Sequence, residues 1–172
     1  MYMSEQYFLK SSRLGFRNWS KDDIDLAIEL WGDPAVTKYL GGPFSSGVAH
    51  KRLYLEMAIL RSHTVQYWPI FLLESGEFIG CAGLRPYTPS EKIYEIGFHI
   101  KPAHWRKGYA TEAAKTVIDY AFNQLSAKAL FAGHHPENIV SKNLLEKLGF
   151  SYVYDEYYEP TKLQHPSYLL RK

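Results

Sequence analysis

Arg106, Lys107 and Gly108, followed by Tyr109, Ala110 and Thr111, combine two cations and a glycine where a strand pattern gives way to a helical one. Just upstream, Ile96, Phe98 and Ile100 alternate with Glu95, Gly97 and His99, the period of a half-buried strand. Pro102 cannot donate to a ladder and ends it. Just downstream, Ala110, Ala113, Val117, Ile118, Ala121 and Leu125 recur at helical spacing. The first turn of a helix leaves its N–H groups unpaired, and its dipole adds partial positive charge there. A glycine lets backbone approach a ligand closely. The spacing therefore predicts an anion site at this helix start, of a geometry that suits a pyrophosphate.

A second stretch, Pro136 to Phe150, reads as a short helix after the apolar strand Ala129-Leu130-Phe131-Ala132. Asn138 is placed to cap its start and Gly149 to end it, with Lys147 in the last turn. Ser141 falls in the first turn. Glu95 lies on the same strand face as Gly97 and His99, opposite Ile96, Phe98 and Ile100. A strand carboxylate in this position is most simply solvent-facing or salt-bridged, and a strand-end histidine is most simply structural.

The elements that position these groups follow from periodicity. Strands are expected near 7–17, 67–74, 77–86, 92–101, 128–134, 150–158 and 166–171, and helices near 20–32, 46–62, 108–125 and 138–148. Ser20-Lys21-Asp22-Asp23 resembles a capping box with Asp in place of Glu or Gln. Ile24, Ala27, Ile28 and Trp31 then give the next helix its apolar face, and Asp33-Pro34 ends it ahead of a short segment from Val36 to Leu40. Glu74-Ser75-Gly76-Glu77 is a hairpin turn. A meander followed by helix-linked strands implies an α/β (α+β) fold with a mixed sheet flanked by helices. No repeat or linker divides the chain, so residues 1–172 are read as a single domain.

Composition excludes several classes. The chain is 46% hydrophobic and 16% aromatic, so it is not disordered. Its net charge of +2, with scattered basic residues, argues against nucleic acid. No apolar run reaches the length of a membrane span, and the opening Met1-Tyr2-Met3-Ser4-Glu5 is not a signal peptide. A cytoplasmic location is expected. The single cysteine, Cys81, lies in an apolar strand and reads as a small core residue rather than a nucleophile. His134 and His135 are adjacent on a strand and so point to opposite faces, which rejects a shared metal. Tyr152, Tyr154, Tyr157 and Tyr158 read as strand packing rather than a substrate mouth, and Trp31, Tyr39 and Trp68 as core.

The loop and the second helix together resemble the GNAT N-acetyltransferase superfamily. Its acyl-CoA loop reads Gln/Arg-x-x-Gly-x-Gly/Ala, and Gly108 and Ala110 fill the two small positions. Trp105 departs from Gln or Arg at the first position. That departure, with Lys-Gly-Tyr-Ala-Thr-Glu-Ala following, looks like the branch of ribosomal-protein N-terminal (alanine/serine) acetyltransferases. The Asn-x-x-Ser and Leu-Glu-Lys-x-Gly-Phe run from Asn138 to Phe150, and an opening strand Arg13–Trp19, extend the likeness over essentially the whole chain. It implies a mostly antiparallel sheet of about six to seven strands, with splayed strands forming the acyl-CoA slot.

The resemblance also assigns roles. Phe98, His99 and Ile100 would line the pantetheine path, and Asn138 would position that arm. Arg106, Lys107, Gly108, Tyr109, Ala110 and Thr111 would hold the pyrophosphate. Glu95 would be the general base, with His99 a weaker candidate. Ser141 would contact or protonate the departing sulfur, because Leu145 stands where many members carry a tyrosine acid. Acetyl-CoA would be the co-substrate, with no metal, and the protein a monomer or homodimer. The acceptor would be a protein N-terminal amine or a small-molecule amine such as an amino acid, polyamine or antibiotic; a non-catalytic CoA-binding regulatory module is the alternative. A phosphate-loop nucleotide enzyme is disfavoured, since neither common glycine motif for one is present. Acceptor type bears on mechanism. With pKa values near ~7.7–8.0, roughly a tenth or more of an α-amine is neutral at pH 7, against under about a thousandth of a lysine at ~10.4. A weak base or a water relay suffices for the former.

Overall fold

The computed structural model describes residues 6–172; Met1–Glu5, on which the absence of a signal peptide was judged, lie outside the described residues. The apolar alternations assemble one sheet from β1 (Leu9–Lys10), β2 (Leu14–Phe16), β3 (Tyr67–Leu72), β4 (Phe78–Thr88), β5 (Ile93–Ile100), β6 (Ala129–Gly133), β7 (Ser151–Tyr158) and β8 (Leu163–Arg171). Their order is β1-β2-β3-β4-β5-β6-β8-β7. The helices are α1 (Ile24–Trp31), α2 (Pro34–Thr37), α3 (Ser46–His63), α4 (Tyr109–Asn123) and α5 (Ile139–Lys147). All neighbouring strands are antiparallel except β5 and β6, which run parallel and are connected through α4.

The mixed, mostly antiparallel sheet expected from the sequence is present, but it has eight strands rather than six to seven. The difference arises near the start. The stretch 7–17, expected as one strand, folds back as β1 and β2. Ser11 makes the turn: its N–H donates to Leu14 O at 2.9 Å and its Oγ accepts from Leu14 N–H at 3.0 Å. Such local side-chain bonding competes with extended chain.

Each face of the sheet has its own core. On one side α4 lays Ala113, Ala114, Val117 and Ala121 against Ile96, Ile100, Trp68, Ile70 and Leu84, and α5 adds Leu145. On the other, α1 and α3 bring Leu30, Trp31 and Leu53 to Tyr67, Phe71 and Cys81. Sequence signals set the helix starts. Ser20 and Asp23 form the capping box, Asp23 Oδ2 reaching back to the Ser20 N–H at 2.8 Å, although the turn it caps is 3-10 and the α-helix begins only at Ile24. Asn138 Oδ1 caps α5 by accepting from Ser141 N–H at 3.1 Å, and Gly149 follows that helix at φ +91°. Among the described residues no helix is long and apolar enough to cross a membrane.

The start of α4 is tied to the β1–β2 turn through Glu112. Its Oε1 accepts from Ser11 Oγ at 2.6 Å and Arg13 N–H at 2.9 Å, and its Oε2 pairs with Arg13 Nε at 2.6 Å. Burial alone would raise this carboxyl, but the Ser11 and Arg13 bonds outweigh it and hold it below its ordinary value. A depressed carboxyl stabilises the fold fully above its unfolded value near 4.5, and that contribution is lost as pH falls through the lower folded value. Denaturant titrations of Glu112→Gln against the parent should therefore show a deficit of about 1 kcal/mol at pH 7, discounted for the half-exposed arginine, that shrinks as pH falls below 4.5. A pH-independent deficit would show that the charge does not matter.

Candidate active site

The site begins where β5 and β6 part. Their ladder pairs Ile93 with Ala129, Tyr94 with Leu130 and Glu95 with Phe131, and goes no further. Beyond Glu95, β5 continues to Ile100 with β4 on one side only. Lys101 N–H donates to Ile79 O at 2.9 Å beside the Gly80–Ile100 pair. Ile100 is therefore in a non-hydrogen-bonded pair, and alternation turns the main-chain polar groups of Phe98 and Ile100 away from β4 and into the gap, past Ile96, which the Glu95–Phe131 pairing still ties to β6. One of these groups is already occupied. Trp105 Nε1 donates to Ile100 O at 2.7 Å, so the residue that departs from the family loop also anchors that loop to the strand end. His99 differs from its neighbours: its main chain belongs to the β4 ladder, and its ring lies on the opposite face.

Because β5 and β6 are parallel, the helices that follow them both start at the open end. The loop 101–108 leads into α4, whose N-cap is Gly108 at φ +80°, a conformation suited to glycine, with no side-chain cap on the first-turn N–H groups. Arg106 also has positive φ, at +60°. Arg13 braces the loop, donating to Lys107 O at 3.1 Å and standing 4.4 Å over the Tyr109 ring. The Tyr109 ring thus packs within the protein, while Arg106, Lys107 and Gly108 are exposed. On the β6 side, Asn138 and Ser141 occupy the first turn of α5. Asn138 spends its carbonyl oxygen on the cap, and among the described residues its amide nitrogen makes no hydrogen bond. Leu145 is 2% exposed within the core, so no acid stands at the family's tyrosine position.

Glu95 sits at the apex of the gap, on the face covered by α1 and α3, half-buried. Among the described residues it is not salt-bridged: its Oε1 accepts from the Tyr67 hydroxyl at 2.7 Å. His99 is poorly placed to act as a base. Trp31 Nε1, which can only donate, lies 3.1 Å from its Nδ1, so the ring proton is on Nε2. Burial, with Arg52 and Arg85 nearby, pushes this histidine well below its ordinary value and keeps it neutral. Cys81 is buried and its thiol is pushed up by that burial, as a structural cysteine should be.

Sequence analysis missed a buried polar cluster beneath this face. Glu56 on α3 is 0% exposed. It accepts from Arg52 Nε at 3.2 Å, from Arg85 Nη2, and from the Tyr67 N–H at 2.9 Å. Arg52 and Glu56 stand four residues apart on α3, a helix pairing that the sequence shows, but Arg85 comes from β4, so local spacing does not announce the buried cluster.

Other expectations need correction. Tyr39 is not core: half-buried, its ring lies 4.9 Å from His135. Tyr152, Tyr154 and Tyr157 are exposed rather than packed, and Tyr154 meets the Tyr87 hydroxyl at 2.8 Å. β6 ends at Gly133, so His134 and His135 follow the strand rather than lie on it; the first ring meets Tyr168 and the second Tyr39 and His165.

A parted sheet with two helix N-termini at its open end is the arrangement of acetyl-CoA-dependent N-acetyltransferases. The family model for the acetyltransferase (GNAT) domain matches residues 13–151. The chain belongs to this family. It is 32% identical over 144 residues to an uncharacterised N-acetyltransferase, p20, of Bacillus licheniformis, covering 83% of this chain and 81% of that one. A GNAT-family acetyltransferase structure from Bacillus anthracis superposes with a TM-score of 0.81 at 26% identity, over 95% of this chain and 97% of the other. Two more distant structures share the fold. RimL, a ribosomal L7/L12 α-N-protein acetyltransferase in complex with coenzyme A, has a TM-score of 0.78 at 13% identity, over 94% of this chain and 95% of that one. A Vibrio cholerae spermidine N-acetyltransferase with CoA and spermine has a TM-score of 0.77 at 19% identity, over 94% of this chain and 96% of that one.

Gly108 tests the anion site. Asp tolerates a left-handed backbone better than most residues, and a Cβ there would lie 3.4 Å from Arg13 Nη2, ordinary contact, so Gly108→Asp should fold. It sets a carboxylate at the helix start, where an anion is to bind. Calorimetric titration should show acetyl-CoA affinity lower by at least about tenfold; unchanged affinity would remove this loop from the site.

Proposed function

We propose that this protein transfers the acetyl group of acetyl-CoA directly to a primary amine, first of all the N-terminal α-amine of a protein. The observation that carries this is the parting of β5 from β6 immediately after Glu95. It leaves the main-chain groups of Phe98 and the N–H of Ile100, whose carbonyl is taken by Trp105, for the amide groups of pantetheine, and a carboxylate at the closed end. In this scheme the first-turn N–H groups of α4, with Arg106 and Lys107, hold the pyrophosphate, and Asn138 steadies the pantetheine arm. The thioester is already activated, so no enzyme nucleophile is needed.

The step balances with few groups. The neutral amine nitrogen attacks the thioester carbonyl, the C–N bond forms and the carbonyl electron pair moves to oxygen. Glu95 takes the proton that the nitrogen must then lose, directly or through one water. The tetrahedral intermediate collapses with cleavage of the C–S bond, and the electron pair leaves on sulfur. Ser141 or water then protonates the thiolate. A single half-buried carboxylate suits an α-amine, of which about a tenth is neutral at pH 7, better than a lysine.

Thiol release from acetyl-CoA with a panel of acceptors tests this directly. The panel comprises peptides with free α-amines, the same peptides N-blocked but containing lysine, polyamines and an aminoglycoside. Turnover on the free α-amine peptides alone is expected. Turnover only on small amines would keep the chemistry and replace the acceptor; binding of acetyl-CoA without turnover on any of them would favour the non-catalytic module. Glu95→Gln should lower kcat by about a hundredfold, within the range general-base removal costs, and leave acetyl-CoA affinity unchanged; equal loss of both would make the residue structural. Ser141→Ala should slow single-turnover acetyl transfer by about tenfold, and a parental rate would assign the proton to water.

A further inference from the structure

Tyr67 stands on β3, two strands from Glu95 with β4 between them, yet its hydroxyl reaches the carboxylate. The register explains the reach. Tyr67 is opposite Gly83, and Gly83 is opposite Gly97, so the ring runs across the sheet over positions without side chains. A Cβ on Gly97 would lie 2.5 Å from the tyrosine oxygen. The ring is only 4% exposed. Its main-chain N–H is fixed by Glu56 and its face by the Arg85 guanidinium 4.5 Å from the centroid. Glu95 Oε2 has no partner among the described residues.

We propose that Tyr67 is a positioning residue for the general base: its buried hydroxyl, donating to Oε1 of Glu95, fixes the carboxylate and leaves Oε2 to receive the acceptor's proton. This rests on the assignment of Glu95 as the base. A hydrogen bond donated to a carboxylate favours its charged form. Burial and then the Glu95 charge push the tyrosine hydroxyl well above its ordinary value, so it remains a donor at any working pH. Other groups face the same carboxylate. Arg85 stands directly opposite on β4, with Tyr87 farther along that strand. From β7 come Glu156, raised by burial and by Glu95, and Tyr158. Arg52 on α3 is paired with Glu56, and the His99 ring is neutral. Among these only Tyr67 hydrogen-bonds Glu95, so removing its hydroxyl subtracts one bond and leaves every charge in place.

The test is Tyr67→Phe, alone and combined with Glu95→Gln, followed by kcat, KM for acetyl-CoA and the pH profile of kcat/KM with the best acceptor of the panel. Phenylalanine keeps the ring over Gly97 and under Arg85, so the fold should persist. The acidic limb should move up by about one pH unit and kcat at pH 7 should fall about tenfold, the scale of one hydrogen bond to a charged group. KM for acetyl-CoA should stay at the parental value, and in the Glu95→Gln background the loss should vanish. Gly97→Ala, which displaces the ring but keeps the hydroxyl, should move the limb the same way. A parental limb and kcat in Tyr67→Phe would overturn the proposal, as would an equal loss in both backgrounds, which marks a structural role. If Glu95→Gln itself turned over at the parental rate, the assignment of the base would fall first.

Discussion

The gap between β5 and β6 is the constraint on which the rest depends. Inside a sheet, each main-chain N–H and C=O normally finds its partner on a neighbouring strand, and an unpaired one away from water costs about as much as a lost hydrogen bond. This protein leaves such an edge in the middle of its sheet, beyond Ile96. Several features hold the parting open. At the closed end Tyr87 stacks on Phe131 at 4.0 Å, linking β4 to β6 across β5. At the open end the Trp105 indole satisfies Ile100 O, and Glu112 secures α4 to the β1–β2 turn. Parallel pairing does the rest: because β5 and β6 point the same way, α4 and α5 both begin where the strands diverge.

The two sheet faces divide the work. The face under α4 is apolar and built partly from alanines, which let that helix lie close to β5 and fix its N-terminus relative to the strand edge. The opposite face carries the fully buried Glu56 with Arg52 and Arg85, and above them Tyr67, Glu95 and His99. Burying charges costs several kcal/mol per ion unless they are paired and hydrogen-bonded, and hydrophobic replacements are often no less stable. Glu56 meets those terms, since both carboxylate oxygens are used, and one of them fixes the main chain of Tyr67. The cluster thus links α3 to the strand that carries the partner of Glu95.

What was legible in the sequence was what depends on neighbours along the chain. The alternation of Glu95 to Ile100, the helical spacing after Gly108, the cap at Asn138 and the ending at Gly149 are local, and the structure has each of them. The turn at Ser11 was lost because its serine bonds interrupt a stretch whose side chains still read as strand. The hydrogen bond between Tyr67 and Glu95 was invisible for another reason: it needs the register of three strands, Tyr67 over Gly83 over Gly97, which no pattern within one segment contains. Glycines inside strands hint that something passes closely over them, but do not say what. Tyr39 was read as core from its type alone, whereas its half-buried ring lies against His135.

The position held by Leu145 tests whether the proposed chemistry is complete without a tyrosine acid. The side chain is sealed in the core, so no rearrangement of a neighbouring rotamer supplies the missing hydroxyl. Transfer from a thioester does not demand one. A thiol has a pKa near ~8.5, so a departing thiolate at neutral pH is a far better leaving group than an alkoxide and gains little from being protonated as it leaves. What it gains from is positive potential. In the proposed scheme the dipole of α5, with Ser141 in its first turn, would supply that at the end of β6, as the start of α4 would for the pyrophosphate at the end of β5. In the proposed scheme the proton-handling burden then falls on the amine side, where a single carboxylate, held in one orientation by a buried hydroxyl, would suffice for an acceptor that is already partly neutral.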